Sequence, residues 1–156
     1  MKKSILAFSI ILLSISSLSI FAEKNSPTPL KSGDKLTLSD FKTTNAGIKY
    51  KITKVGSGDK PVFGETLTVH YTGHLLQGSN VVGSKFDSSV TRNQPFQFKL
   101  GARQVISGWE MSLSEMQTGE ERIVILPSKL AYGNRATGTI PSDSTLVFEI
   151  KLIKTS

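Results

Sequence analysis

From Gly47 to the last residue, apolar side chains return at every second position in five separate stretches, and at helical spacing in one. This contrast restricts the fold more than any other feature of the chain. "IKYKITKV" (48–55) alternates apolar and polar residues as a half-buried strand does. "ETLTVHYTG" places Leu67, Val69 and Tyr71 on one face and Thr66, Thr68 and His70 on the other. "PFQFKL" puts Phe96 and Phe98 on one face, and "ERIVILP" and "STLVFEIKLIK" supply two further strands. In the last, Leu146, Phe148, Ile150 and Leu152 share a face. The single helical pattern joins Ile106, Trp109, Leu113 and Met116 at spacings of three, four and three, and Thr118-Gly119 closes it. "GSGDKP" supplies turn chemistry. The pattern predicts an α+β domain: a twisted antiparallel sheet of about five strands with one short helix packed on a face.

The 156-residue length suits one domain with residues to spare. The first 22 residues, "MKKSILAFSIILLSISSLSIFA", begin with two lysines, run apolar and end on a small residue, as a secretory signal peptide does. A membrane anchor is the alternative. The interspersed serines and the polar "EKNSPTP" that follows favour cleavage, with Ala22 as the candidate site. The expectation is export to a periplasm or to the outside. Residues 23–45, rich in Ser, Thr, Pro and Lys, read as a flexible arm, in which "LTLSDF" (36–41) offers a weak edge strand. Residues 46–156 are the folded domain. The arm is too short and too proline-bearing for a helical dimerisation domain, so the expectation is a monomer.

The chemistry on offer is narrow. With no cysteine and only His70 and His74, a metal site has too few ligands, and both histidines read as surface residues of a strand and its exit. No serine sits in a nucleophile elbow. The glycines of "GSGDK" and "GNRATG" lack the strand–loop–helix context of a phosphate cradle and read as surface turns. The formal charge of +7 comes from lysines spread without a dense block, which argues against nucleic-acid binding. What remains is a set of aromatics, one on each of several predicted elements: Tyr71, Phe86, Phe96, Trp109, Tyr132 and Phe148. Any one of these rings is simplest as core. Together, with Tyr and Trp polar atoms to satisfy and loops "KFDSS" and "LAYGN" alongside, they fit an apolar small-ligand pocket.

In this order, "VHYTG", "KFDSS", "RNQPFQFKLG", "QVISGWE", "LAYG" and "TLVFEIKLI" resemble the macrolide-binding, FKBP-type peptidyl-prolyl cis–trans isomerases. The resemblance spans residues 47–156 and implies the family's sheet wrapped around a short helix, with the pocket between them. Carried over motif by motif, it implies Tyr71, Asp87 and Tyr132 as catalytic groups. It implies Phe86, Arg92, Phe96, Gln104, Val105, Ile106, Trp109, Ile140 and Phe148 as the substrate and macrolide site. Trp109 would be the floor under a proline ring, the Ile106 N–H a donor to a substrate carbonyl, and Arg92 the ionic partner of Asp87. Asp87 itself would act on the twisting carbonyl or orient Tyr71. The implied partners are proline-containing polypeptides and macrolides such as tacrolimus or rapamycin, with no cofactor and no metal.

An X–Pro amide interconverts slowly because rotation destroys its resonance. Speeding that rotation breaks no bond, so no nucleophile, metal or acid–base pair is needed. A proline-peptide-binding chaperone with little turnover is the alternative, and a structural protein wearing the fold a third. The sequence departs from the family pattern in four places. "HLLQGSNVVGSKF" is longer by about five residues, with "SNVVGS" expected as a loop or bulge at the pocket rim. Ser112 replaces a frequent glycine and Met111 a usual acid. "GNRATGTIP" is shorter by about one residue, which puts peptide preference and macrolide affinity in question.

Overall fold

The computed structural model describes residues 27–156. Residues 1–22, read as a signal peptide, lie outside the described residues. The described chain forms seven strands: β1 (Lys42–Thr43), β2 (Lys49–Lys54), β3 (Thr66–Gln77), β4 (Val81–Ser88), β5 (Phe96–Lys99), β6 (Glu121–Leu126) and β7 (Leu146–Thr155). One helix, α1 (Ser107–Leu113), and 3-10 turns at Leu38–Asp40 and Ser128–Leu130 complete it. All pairings are antiparallel, and the strand order is β1-β2-β6-β7-β3-β4, with β5 also on β3.

The five expected strands are present. β4 and β1 are additions that the alternation hid. β4 has two register irregularities against β3, between Gly73 and His74 and between His74 and Leu76. A bulge breaks the period-two signal. Its first half is the "SNVVGS" stretch expected to loop at the pocket rim. From Val81 that stretch is strand instead, and Val82 is fully buried. The edge strand anticipated in 36–41 comes just after it: Leu38–Asp40 turns, and Lys42–Thr43 pairs with β2.

β3 organises the sheet. One edge pairs with β7 from Leu67 to Leu75. The other is shared, with β5 opposite Thr66 to Val69 and β4 opposite Thr72 to Gln77. Tyr71 sits at the gap between those partners. There the buried Ser89 closes the ladder, its Oγ accepting from the Tyr71 N–H at 2.8 Å and its N–H donating to the Tyr71 carbonyl at 3.0 Å.

The main core lies between sheet and helix. It joins Leu67, Val69 and Phe98 to Trp109, Leu113 and Met116, and to Leu146, Phe148, Ile150 and Leu152. Burial of each such aliphatic side chain favours the fold by about 1.5–3 kcal/mol. The helix is shorter than its apolar stripe. Ile106 is its N-cap, and Met116 is buried from the turn that follows. Arg122 ends it: its buried guanidinium donates to the Ser112 and Glu115 carbonyls, both at 3.3 Å, and pairs with buried Glu120. The Ser112 carbonyl of the last turn and the Glu115 carbonyl just beyond it thus gain a side-chain donor.

The opposite face of the sheet is not bare. Leu36 packs with Val82, Ile125 and Val147, flanked by Leu30, Leu38 and Phe41. Residues 30–36 run along β4, with Gly33 N–H to Val82 O at 2.7 Å, Val82 N–H to Asp34 O at 2.8 Å and Leu36 N–H to Asn80 O at 2.8 Å. The expected flexible arm is therefore a fixed strap from Leu30 on, because its apolar side chains find a second apolar layer. His74 changes place with it. β3 continues past Gly73, so His74 is buried under this layer rather than exposed at the strand's exit.

Candidate active site

On the helix side the core is open at one end. A cavity of about 370 Å³ is lined by Tyr71, Phe86, Asp87, Phe96, Arg103, Gln104, Val105, Ile106, Trp109, Tyr132 and Phe148. Larger hollows exist, including one of about 680 Å³ behind the helix near Met111 and Tyr50. The cavity of about 370 Å³ is the one that gathers Tyr71, Phe86, Phe96, Trp109, Tyr132 and Phe148 among the described residues.

Trp109 is the hub and is 4% exposed. Tyr71 and Phe148 meet its ring edge-to-face at 5.0 and 5.4 Å, both at 81°, and Phe96 does so at 6.1 Å. Such perpendicular contacts are the favoured aromatic geometry. They fix each ring and leave a concave apolar floor. The buried Trp109 Nε1–H has no acceptor among the described residues. Phe86 stands against Phe148 at 5.6 Å and 88°. Two glycines make this possible. A Cβ at Gly73 would meet Phe86 Cζ at 2.5 Å and Phe148 Cε1 at 2.8 Å, so the strand position between these rings must stay empty. A Cβ at Gly108 would meet both Leu126 methyls at 2.8 Å. The helix start therefore lies directly on β6, which sets the depth of Trp109.

Polar groups are few and mostly committed. Asp87 Oδ2 accepts from the Tyr71 hydroxyl, while Oδ1 accepts from Arg92 and from the Ser88 N–H at 2.8 Å. Arg92 also donates to the Tyr71 oxygen at 3.2 Å and lies 6.0 Å from its ring centroid. Burial alone would raise the Asp87 carboxyl, but the hydrogen bonds from Tyr71 and Arg92 outweigh it and hold the group below its usual range. Burial, with the bond to Asp87, pushes the Tyr71 hydroxyl up. Its proton points to Asp87. Tyr132 differs. It is 38% exposed, and among the described residues its hydroxyl has no partner. Burial, then the Asp87 charge, raise it, so it remains a donor at neutral pH. The Ile106 N–H likewise donates to no acceptor among the described residues, and its backbone is extended at ψ 148° just before the helix.

Ten of the twelve expected site residues line the cavity. Ile140 does not. It is buried in the main core, and its bridge to Thr137 anchors the loop that carries Tyr132. Arg92 stands behind the Tyr71–Asp87 pair, on a separate shallow groove with Gln94 and Pro95. Gln104 lines the cavity, with its side-chain oxygen accepting from the Lys99 N–H at 2.8 Å. The sequence reading missed Arg103 and the group that sets it. Glu110 accepts from the Gly101 N–H at 2.7 Å and the Arg103 N–H at 3.2 Å. An acid in the first turn of a helix was the available signal.

Known proteins share this architecture. FK506-binding protein 2B of Rhizopus delemar is 46% identical over 109 residues, covering 69% of this chain and 50% of the relative. The FKBP-type peptidyl-prolyl cis-trans isomerase FkpA of Aeromonas hydrophila is 43% identical, covering 72% of this chain and 39% of that one. The chain thus spans half or less of these two relatives. FK506-binding protein 2 of Candida glabrata is matched over 83% of its length at 44% identity, covering 72% of this chain. Among solved structures, AtFKBP13 superposes with a TM-score of 0.68 at 33% identity, covering 74% of this chain and 98% of that one. Escherichia coli FkpA gives 0.67 at 34%, covering 75% of this chain and 52% of that one. The family profile for FKBP-type peptidyl-prolyl cis-trans isomerase matches residues 58–153. With the aromatic cavity and the sheet wrapped on one helix, this places the chain in the FKBP-type peptidyl-prolyl cis–trans isomerase family.

Proposed function

We propose that this protein accelerates cis–trans isomerisation of Xaa-Pro bonds in folding polypeptides, and that the same cavity accepts macrolides such as tacrolimus. The observation that carries the reading is the cavity itself, with an aromatic floor and two donors at its edge that have no acceptor among the described residues. A proline ring seated on Trp109, between Phe96 and Phe148, brings its amide among apolar walls. The planar amide is the more polar conformer and loses more on leaving water than the twisted one, which narrows the barrier. The Ile106 N–H and the Tyr132 hydroxyl hold the chain on either side of the twisting bond. Asp87 acts as a positioning group. Its oxygens are taken by Tyr71, Arg92 and Ser88, so it fixes the Tyr71 wall rather than meeting the amide carbonyl.

Export belongs to the same proposal, supported by the basic, apolar and small-residue succession in residues 1–22. So does a monomeric state, supported by the packing of the segment from Leu30 on against its own sheet as a strap. The deciding experiment is a protease-coupled assay on a Leu-Pro peptide with and without tacrolimus. Acceleration that tacrolimus abolishes is expected. Tacrolimus binding with no acceleration would favour the chaperone reading.

A further inference from the structure

One cation at the cavity has no ion-pair partner among the described residues. Asp87 is neutralised by Arg92, and Glu110 commits both oxygens to backbone N–H groups. Arg103 lines the cavity, is exposed, and has no ion pair among the described residues. Its backbone is held in the left-handed region, φ +56°, where a non-glycine residue is uncommon. The Glu110 carboxylate fixes it there through the Arg103 N–H. The result is a long, exposed cation on a fixed stem at the mouth of an apolar site.

We propose that Arg103 is a specificity residue, which favours substrates carrying an acidic side chain next to the proline and disfavours basic ones. The inference rests on the isomerase reading. With the proline ring on the Trp109 floor, the neighbouring residues must leave the cavity across its rim, where Arg103 supplies an exposed cation without an ion-pair partner among the described residues. A carboxylate there gains a partner without displacing one, because among the described residues the guanidinium is in no ion pair, the Glu110 oxygens being held by backbone N–H groups. A lysine there meets like charge. The pair forms in partial contact with solvent, so the effect is modest and sensitive to salt.

The test compares kcat/KM for peptides with Glu, Leu or Lys immediately before the proline, and for a second set with the same residues immediately after it. The wild-type protein and Arg103→Glu are assayed at low salt and at about 1 M salt, where the screening length falls to about 3 Å. In the wild type, Glu is expected to exceed Lys by about two- to fivefold at one of the two positions. Arg103→Glu inverts that order, and high salt flattens it in both proteins. An identical Glu-to-Lys ratio in wild type and Arg103→Glu at both positions would overturn the proposal. The wild-type rate on the Leu peptides reads isomerase activity by itself, so a failure of the isomerase reading shows there and not in the charge ratio.

Discussion

The two faces of one sheet have met the same problem in opposite ways. β3 and β7 send alternate residues to each side. Tyr71, Phe148 and Ile150 point toward the helix, and Val147 and His74 lie under the N-terminal strap. The strap side is filled by aliphatic chains that close on one another around Leu36. The helix side is built at its open end from rings locked perpendicular to each other. Aliphatic chains can repack to fill a gap. Planar rings held edge-to-face cannot, so a hollow survives beside Trp109. A layer of either kind stabilises the sheet, but the rigid aromatic one also keeps a cavity.

That contrast can be broken from either side. The largest effect is expected on the strap. Leu36→Ala should lower unfolding free energy by about 2–3 kcal/mol in urea titrations while kcat/KM on a Leu-Pro peptide holds. A fall in kcat/KM with little loss of stability would show the strap belonging to the active site instead. Next comes Trp109→Leu. It should keep a cooperative transition and the sheet's circular dichroism, weaken tacrolimus binding and lower kcat/KM at least about tenfold, or ~1.4 kcal/mol. Global unfolding would make this ring core rather than floor.

The smallest effect tests the histidine buried under the strap. Burial, then the nearby Lys85, hold His74 below the usual histidine range, with Asp34 opposing. A lowered folded value means that His74 contributes stability above its ordinary pKa of about 6.5, which is lost as pH falls below it. Burial raises Glu149, against the Leu30 N–H, so its protonation works in the other direction. Comparing wild type with His74→Leu at pH 7.5 and pH 5 isolates the histidine. The wild type should lose more stability on acidification, with a slope below about 1.4 kcal/mol per pH unit. Equal losses would show that His74 is not strained by its burial.

Much of this was legible in residue order. Strands with strict alternation, such as 48–55, were readable because a strand with one buried face repeats every two residues. β4 was not, since its bulges break that repeat, and Gly83-Ser84 within it mimics a turn. The strap was unreadable for a different reason. Leu30, Leu36 and Phe41 are isolated apolar residues in a polar segment, and only the second apolar layer of Val82, Ile125 and Val147 gives them a destination. The same holds for His74, whose polarity predicts a surface that the strap removes.

The sequence by itself determined the antiparallel sheet, its single helix and the family of its pocket, because periodicity and spaced motifs are local properties of the chain. Tertiary structure decided which of those residues face the cavity. It moved Ile140 into the core and Arg92 behind Tyr71, and it brought Arg103 to the rim through a glutamate seven positions away. Such placements depend on which hydrogen-bond partners remain free once the elements have packed, and that is settled only in three dimensions.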